Sequence, residues 1–513
     1  MQPADASAPL RGAVLGCAAL ALALGTFMQV LDSTIANVSL TTIAGNLGVS
    51  ADSATWVITA FAVANGVTVP LTGWLMGRFG VVHTFVMSVM LFTVASFLCG
   101  VAWSLPSLIV FRLLQGMVSG PMIPGSQALL ISIFPPNKRA TALGIWSITS
   151  LVGPVAGPIL GGYISDNYHW GWIFLINVPV GLAAGLVSWA LLKHRETPTR
   201  PLSVDVVGLC LLALWVGCLQ VVLDLGKNAD WFNSAFITVC AITSAVGFVA
   251  WLIWELTEER PIVELRLFAN RNFALGTAAF CLGYAIFFGN NLLLPLWLQQ
   301  QLGYTATWAG LVSAPSGAVA IICTPLMAKL SGKIDARWLA ALAFLAFGIS
   351  YFMRAGYTSY ADYWHLMFPQ IVQGVAMSTF FVAMLTISLG DVPAEKTPSA
   401  TGISNFARIT GASFAASLVT TIWDRREAVH QTRLAEISSP FAPNFRAALS
   451  QLESQGLAPG QAVGAIAKQI VGQAYLLSAN DIFWGCGWIS FALIALVWLA
   501  RRPAAPTGPI AAD

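Results

Sequence analysis

Gly153-Pro154-Val155-Ala156-Gly157-Pro158-Ile159-Leu160-Gly161-Gly162-Tyr163-Ile164-Ser165-Asp166 closes a long apolar run in the first half of the chain, and Gly144 stands nine positions before Gly153. In water such a helix is poor, because each interior Gly costs about 1 kcal/mol and each Pro about 3 kcal/mol. In a bilayer, small residues let helices approach closely and neighbouring groups re-satisfy the backbone that Pro frees. The stretch therefore reads as a tight, kinked helix contact inside a membrane, and at the least as a well-packed transmembrane helix.

Composition agrees. Of 513 residues, 57% are hydrophobic and 9% charged, against roughly 25% charged in a soluble domain. The chain reads as an all-α polytopic membrane protein. Its apolar run from Gly12 lacks a small-residue cleavage site and reads as a span, not a removable leader. The eight cysteines lie in apolar runs without metal-ligand spacing, so they read as small buried hydrophobes and no metal site is expected. A net charge of +3 gives no argument for nucleic acid.

Windows of about 20 apolar residues fall at 12–37, 54–75, 82–102, 106–132, 140–164, 171–192, 205–223, 233–254, 273–298, 308–329, 336–354, 364–389, 399–423 and 481–500, which makes fourteen spans. With the N-terminus inside, the inner loops hold sixteen Lys and Arg, and the short outer loops only Lys227 and Arg354. By the positive-inside rule both termini are expected in the cytoplasm. The outer segment 424–480 is long, polar at first, and then carries helical patterns at 445–452 and 462–477. It reads either as a loosely folded external lobe or as a docking surface for a periplasmic partner.

The halves repeat at an offset of 258: Gln115-Gly116 meets Gln373-Gly374, Pro135 meets Pro393, Lys138 meets Lys396, Gly144-Ile145 meets Gly402-Ile403 and Gly153 meets Gly411. The expected organisation is a six-helix bundle over 1–200, two inserted helices and a linker over 201–270, and a second six-helix bundle over 271–513 that includes 424–480. A parallel duplication of this kind marks transporters whose bundles rock about a site at their interface. Gly157-Pro158 meets Ala415-Ala416, so the Gly-Pro device belongs to the first bundle alone.

An ionisable side chain at the centre of a membrane helix costs at least about 2.5–3.5 kcal/mol, which makes it a functional candidate. Asp32 reads as the only carboxylate well inside an apolar run, and Arg112 and Arg408 as the clearest buried cations. Asp32 lies about 30 Å along span 1 from its inner end and Arg112 about 9 Å past the outer end of span 4, so the two can share the outer half of the bundle. A carboxylate drawn toward its charged form by a guanidinium and toward its neutral form by burial can take up and release a proton; the alternative is a static ion pair pinning two spans. The offset sets Gln370 against Arg112 and Asn290 or Asn291 near the counterpart of Asp32. Gln29, Asn65, Gln127 and Gln373 are further polar residues in apolar runs, each readable as interhelical glue. No Walker A loop, HExxH, GxSxG or paired-carboxylate constellation is present, so neither ATP hydrolysis nor enzymatic chemistry is expected.

At these residues the chain resembles the major facilitator superfamily, and within it the fourteen-span drug:proton antiporters. Leu31-Asp32-Ser33-Thr34-Ile35-Ala36-Asn37-Val38 is similar to that family's span 1 motif, Gly73 to Gly80 with Arg78 to its loop motif, Arg112 with Gln115-Gly116 to its span 4 motif, and Gly144 to Gly162, through Gly153, Gly157, Pro158 and Gly161, to its antiporter motif. The resemblance implies an inner-membrane pump of a Gram-negative cell that uses the proton gradient and no cofactor. It would expel hydrophobic small-molecule drugs with an EmrA-like periplasmic adaptor and a TolC-like outer-membrane channel. Asp32 and Arg112 would couple protons, and Gln29, Asn37, Gln115, Asn290, Asn291, Gln373 and Arg408 would line the cavity. The loop motif usually carries an acid where this chain has Gly77, which leaves Arg78 to another partner or to water. Two other functions fit the same residues: an exporter dedicated to an endogenous product such as a fatty acid or secreted metabolite, and a non-transporting scaffold or receptor that binds through 424–480.

Overall fold

The computed structural model describes residues 10–135, 138–199, 205–259, 261–331, 333–438 and 441–502, and among them no strand occurs. The helices are α1 (Gly12–Val38), α2 (Leu40–Leu47), α3 (Ala51–Ala54), α4 (Trp56–Thr68), α5 (Thr72–Phe79), α6 (Val81–Gly100), α7 (Leu105–Ser119), α8 (Met122–Ile133), α9 (Arg139–Asn167), α10 (Trp172–Leu175), α11 (Asn177–Leu192), α12 (Val206–Leu225), α13 (Ala235–Thr257), α14 (Arg271–Gln301), α15 (Ala306–Ser331), α16 (Ala336–Arg354), α17 (Tyr363–Leu389), α18 (Thr397–Ile437), α19 (Pro443–Ser454) and α20 (Pro459–Trp498).

Eleven of the described helical segments are long and apolar enough to cross a membrane, and twelve if the bent pair α4 and α5 is one span. α9 and α18 have the length, 29 and 41 residues, but fall short in apolar composition through their many Gly, Ser and Thr residues. Length and composition alone therefore do not reach fourteen.

Local chemistry explains the breaks. Pro70 sits between α4 and α5, where the axis bends by 59°; Pro has no N–H, so the helical ladder loses a hydrogen bond there. Gly120-Pro121 divides α7 from α8 within what reads as one span. Polar caps start other helices: Ser104 and Ser107 form a capping box on α7, Asp205 accepts from Gly208 N at 2.9 Å on α12, and Asp335 accepts from Arg337 N at 3.0 Å on α16.

The two halves pack by one scheme. α1 lies on α9 as α14 lies on α18, α4 on α7 as α15 on α17, and α6 on α11 as α16 on α20. α12 and α13 pair with each other, with Gly247 letting the backbones close onto Trp215. α12 also leans on α4 and bonds to α18 through Gln220 Nε2 and Ser413 Oγ, 3.3 Å apart. An aromatic cluster of Phe280, Phe344, Phe347, Phe380 and Phe381 fills the second half.

Contacts between the halves gather at the end that carries the basic loops. A Cβ on Gly73 would run into Ser399, one on Gly144 would sit 3.1 Å from Thr324, and one on Gly402 would sit 3.2 Å from Thr72. These positions lie one or two turns from Arg78, Lys138, Lys329 and Lys396. Thr401 Oγ1 donates to Pro124 O at 3.4 Å, and Asn405 Nδ2 to Gln127 Oε1 at 2.8 Å, in the same region.

Two expectations need correction. Segment 424–480 is not a loose lobe: α18 and α20 run through most of it as continuous helices of 41 and 40 residues, about 60 Å each, joined through the short α19. Trp423 Nε1 to Tyr475 O at 3.0 Å and Ser478 Oγ to Trp423 O at 2.6 Å tie the two together. Arg354, counted as an outer-loop cation, is wholly buried at the end of α16. Asp32 is joined by two carboxylates at span ends: Glu255, near the end of α13, is 1% exposed, and Asp224, near the end of α12, has a buried, unpartnered carboxylate oxygen.

Candidate functional site

Asp32 is on the C-terminal part of α1 with no exposed surface. Its Oδ2 accepts from Arg112 Nη1 of α7 at 2.6 Å, and its Oδ1 accepts from Gln115 Nε2 at 3.1 Å and from Asn177 Nδ2 of α11 at 2.9 Å. Arg112 is held from all sides: Nε donates to Val57 O at 3.1 Å, Nη1 also donates to Gln115 Oε1 at 2.8 Å, and its Cζ stands 4.3 Å from the Phe61 ring and 5.4 Å from that of Phe174. Asn177 donates again to Ser96 Oγ at 3.0 Å. Helices α1, α4, α6, α7 and α11 thus converge on one carboxylate. A buried ion pair is tolerable only when its remaining donors and acceptors are satisfied, and here Nε and Nη1 of Arg112 and both oxygens of Asp32 have partners.

The glycine-rich helix explains how Asp32 is set. Gly153, Gly157 and Gly161 repeat every four residues and so form one stripe of α9. A Cβ on Gly153 would press into Val30 and 3.3 Å from Leu31 N, one on Gly157 would overlap the Thr34 hydroxyl and stand 3.2 Å from Ile35 N, and one on Gly161 would stand 3.1 Å from Ile35 O. Thr34 Oγ1 also lies 3.3 Å from Gly153 O. The stripe therefore backs residues 30–35, the turns that bracket Asp32. Gly144 instead faces α15, and Gly162 faces open space. The side chains of Asn37 and Pro158 are outside the described residues.

The other candidates fall into separate groups. Gln373 joins Gln370 on Arg354 of α16. Arg408 is 3% exposed, donates through Nε to Asn405 Oδ1 at 3.3 Å, and has its Cζ 4.4 Å from the Tyr284 ring and 6.0 Å from that of Trp146 in the first half. Through Asn405 it reaches Gln127, so this polar chain crosses between the halves. Gln29 is buried with Oε1 unpartnered, Asn290 is buried and donates to Ile286 O at 2.8 Å, and Asn291 is half-buried on the same helix.

At the loop motif, Gly73 lets α5 close on α18, Arg78 lies 5.5 Å from the Trp74 ring, and Gly80 turns with φ +89°. The acid that serves this hairpin is Glu196, remote in sequence. Its oxygens accept from Val82 N at 3.0 Å and His83 N at 2.8 Å, at the start of α6, where a carboxylate also offsets the helix dipole.

The Major Facilitator Superfamily pattern matches residues 22–416. The chain belongs to that superfamily. It is 48% identical over 496 residues to the multidrug export protein EmrB of Escherichia coli (strain K12), covering 96% of this chain and 97% of that one. It is 45% identical over 495 residues to the fatty acid resistance protein FarB of Neisseria gonorrhoeae, with 96% and 98% covered. Among solved structures, a peptide transporter POT in complex with sulfate superposes with a TM-score of 0.61 over 97% of this chain and 98% of that one, at 14% identity. That likeness concerns the fold alone.

Sequence reasoning passed over Asn177, Ser96, Phe61 and the Val57 carbonyl. Asn177 carried a signal, being an amide between Ile176 and Val178 in an apolar run. A backbone carbonyl and a ring face carry none, because only the packing aims them at Arg112.

Proposed function

We propose that this membrane protein is a multidrug efflux transporter that exchanges apolar drugs for protons, with Asp32 as the proton carrier. The near full-length likeness to EmrB supports drug export, and the likeness to FarB is compatible with a fatty-acid-like product as the alternative cargo without favouring it. The observation that carries the proton reading is the sealed Asp32 carboxylate with its one cation and two amide donors.

Protonation of Asp32 removes the charge that holds Arg112 Nη1 and converts one carboxylate oxygen from acceptor to donor. The three donors of Arg112, Gln115 and Asn177 then no longer have a common anion, and α1 is released from α7 and α11. Because Gly153, Gly157 and Gly161 couple α1 to α9, and α9 packs along α15, a shift of α1 reaches the contact between the halves. The halves would be two six-helix bundles, residues 1–200 and 271–513, with 201–270 as an insertion, fourteen spans in all. The basic loops and both termini would face the cytoplasm of the inner membrane, and the α18–α20 extension would face an EmrA-like adaptor that leads to a TolC-like channel. Drugs would pass between the bundles near Gln29, Asn290, Asn291 and Arg408.

Purified protein in liposomes should move drug under an imposed pH gradient, and Asp32→Asn should abolish gradient-driven movement. Unchanged transport in that variant would remove the proton site.

A further inference from the structure

The second half contains a buried cation without an acid. Arg354 ends α16 with no exposed surface, in contact with the Tyr351 ring at 5.5 Å and the Phe483 ring at 6.0 Å. Its Nη2 donates to Gln370 Oε1 at 3.0 Å and to Gln373 Oε1. Among the described residues no carboxylate pairs with it. Its Nε and Nη1, the Nε2 amides of Gln370 and Gln373 and the Tyr351 hydroxyl are all buried without a hydrogen-bond partner. Each of these side chains is 1% exposed or less.

Four of these five atoms can only donate, and the fifth, the Tyr351 hydroxyl, can donate or accept. All carry hydrogens to donate, and the two amides cannot be turned to change this, because a carbonyl must face the guanidinium and that directs each NH2 elsewhere. An unpaired buried charge is the costliest of all buried polar groups. The group that satisfies the cluster must accept several hydrogen bonds and bring negative charge, whereas water brings none.

The internal repeat shows what is missing. At the offset of 258, Ser96 corresponds to Arg354, Arg112 to Gln370, Gln115 to Gln373 and Asp32 to Asn290. The second half has moved its cation to the neighbouring helix and has a neutral amide where the first has its acid. We propose that the Arg354, Gln370, Gln373 and Tyr351 cluster binds a monoanion from outside the chain, either a halide or the carboxylate of an apolar molecule. A pocket of about 720 Å³ is lined by Met353, Tyr357, Trp364, Phe368 and Pro369, of which Met353 and Pro369 are the chain neighbours of Arg354 and Gln370. The proposal is independent of proton exchange at Asp32.

The test uses purified full-length protein in detergent at pH 7, with the thermal unfolding midpoint followed by tryptophan fluorescence. Sodium chloride and sodium benzoate are each titrated against sodium gluconate at fixed ionic strength. A saturable rise of roughly 2 °C is expected with at least one of them: chloride alone identifies a bulk halide, benzoate alone a carboxylate ligand, and both a site for either. Arg354→Gln should lose the rise, and Gln370→Leu, which keeps the cation, should weaken half-saturation about 10-fold. No saturable rise in the wild type, or an equal rise with Gln370→Leu and with folded Arg354→Gln, overturns the site.

Discussion

Asp32 and Arg112 are 2.6 Å apart, and neither side chain has more than 1% of its surface exposed. Removing one partner of such a pair leaves the other charged and buried, which costs about 3–5 kcal/mol, whereas removing both is far milder. Asp32→Asn and Arg112→Gln should therefore each lower the unfolding midpoint more than the double variant does. Thermal unfolding of the four proteins checks this, and additive losses would show that the pair contributes no coupling.

The stripe on α9 makes a contrast between neighbouring glycines. Gly157→Val forces a branched side chain into Thr34 and the α1 backbone, and overpacking of this kind costs about 1–3 kcal/mol. Gradient-driven flux should fall at least ~10-fold with protein still made. Gly162→Ala meets nothing within 4 Å and should keep normal flux. Equal loss in both would point to a general defect of the helix.

Asp335 starts α16 and holds Arg337, whose Nη1 reaches Ala500 O at 3.2 Å. Its hydrogen bonds with Arg337, chiefly from the side chain, hold its carboxyl below the usual carboxylate range. A lowered folded value means stability that is present above the unfolded value, near 4, and lost as pH falls through the folded one. Asp335→Ala should cost about 1 kcal/mol at pH 7. The gap between the two unfolding midpoints should persist down to pH 5 and shrink below pH 4; a constant gap at every pH would assign the loss to something other than the charge.

Replacing 434–462 by a short turn, which joins α18 directly to α20, leaves the Arg426, His430 and Asp481 contacts in place. If this extension docks an adaptor, liposome flux should be unchanged while protection of cells is lost. Loss of both would mean that the extension is needed for transport itself.

Membrane class, the duplication, the superfamily and the pairing candidates Asp32 and Arg112 were legible in the residues, because burying a charge in lipid is so costly that each one stands out against 57% hydrophobic composition. Span ends were less legible. Arg354 follows an apolar run and so reads as a loop cation, yet α17 and α20 cover it. The final segment reads as a loop because its composition is polar, but α18 and α20 carry on into it as helices, tied to each other at Trp423, Tyr475 and Ser478.

The chain's own order of residues determined which groups are costly to bury and that four-residue spacing puts Gly153, Gly157 and Gly161 on one face. Only the tertiary structure decided what those groups meet: Asn177 and the Val57 carbonyl on the Asp32 pair, Glu196 on the loop hairpin, and two amides with no acid on Arg354. Periodicity specifies the face of a helix, whereas the partner across that face comes from residues tens to hundreds of positions away, and their approach is set by packing.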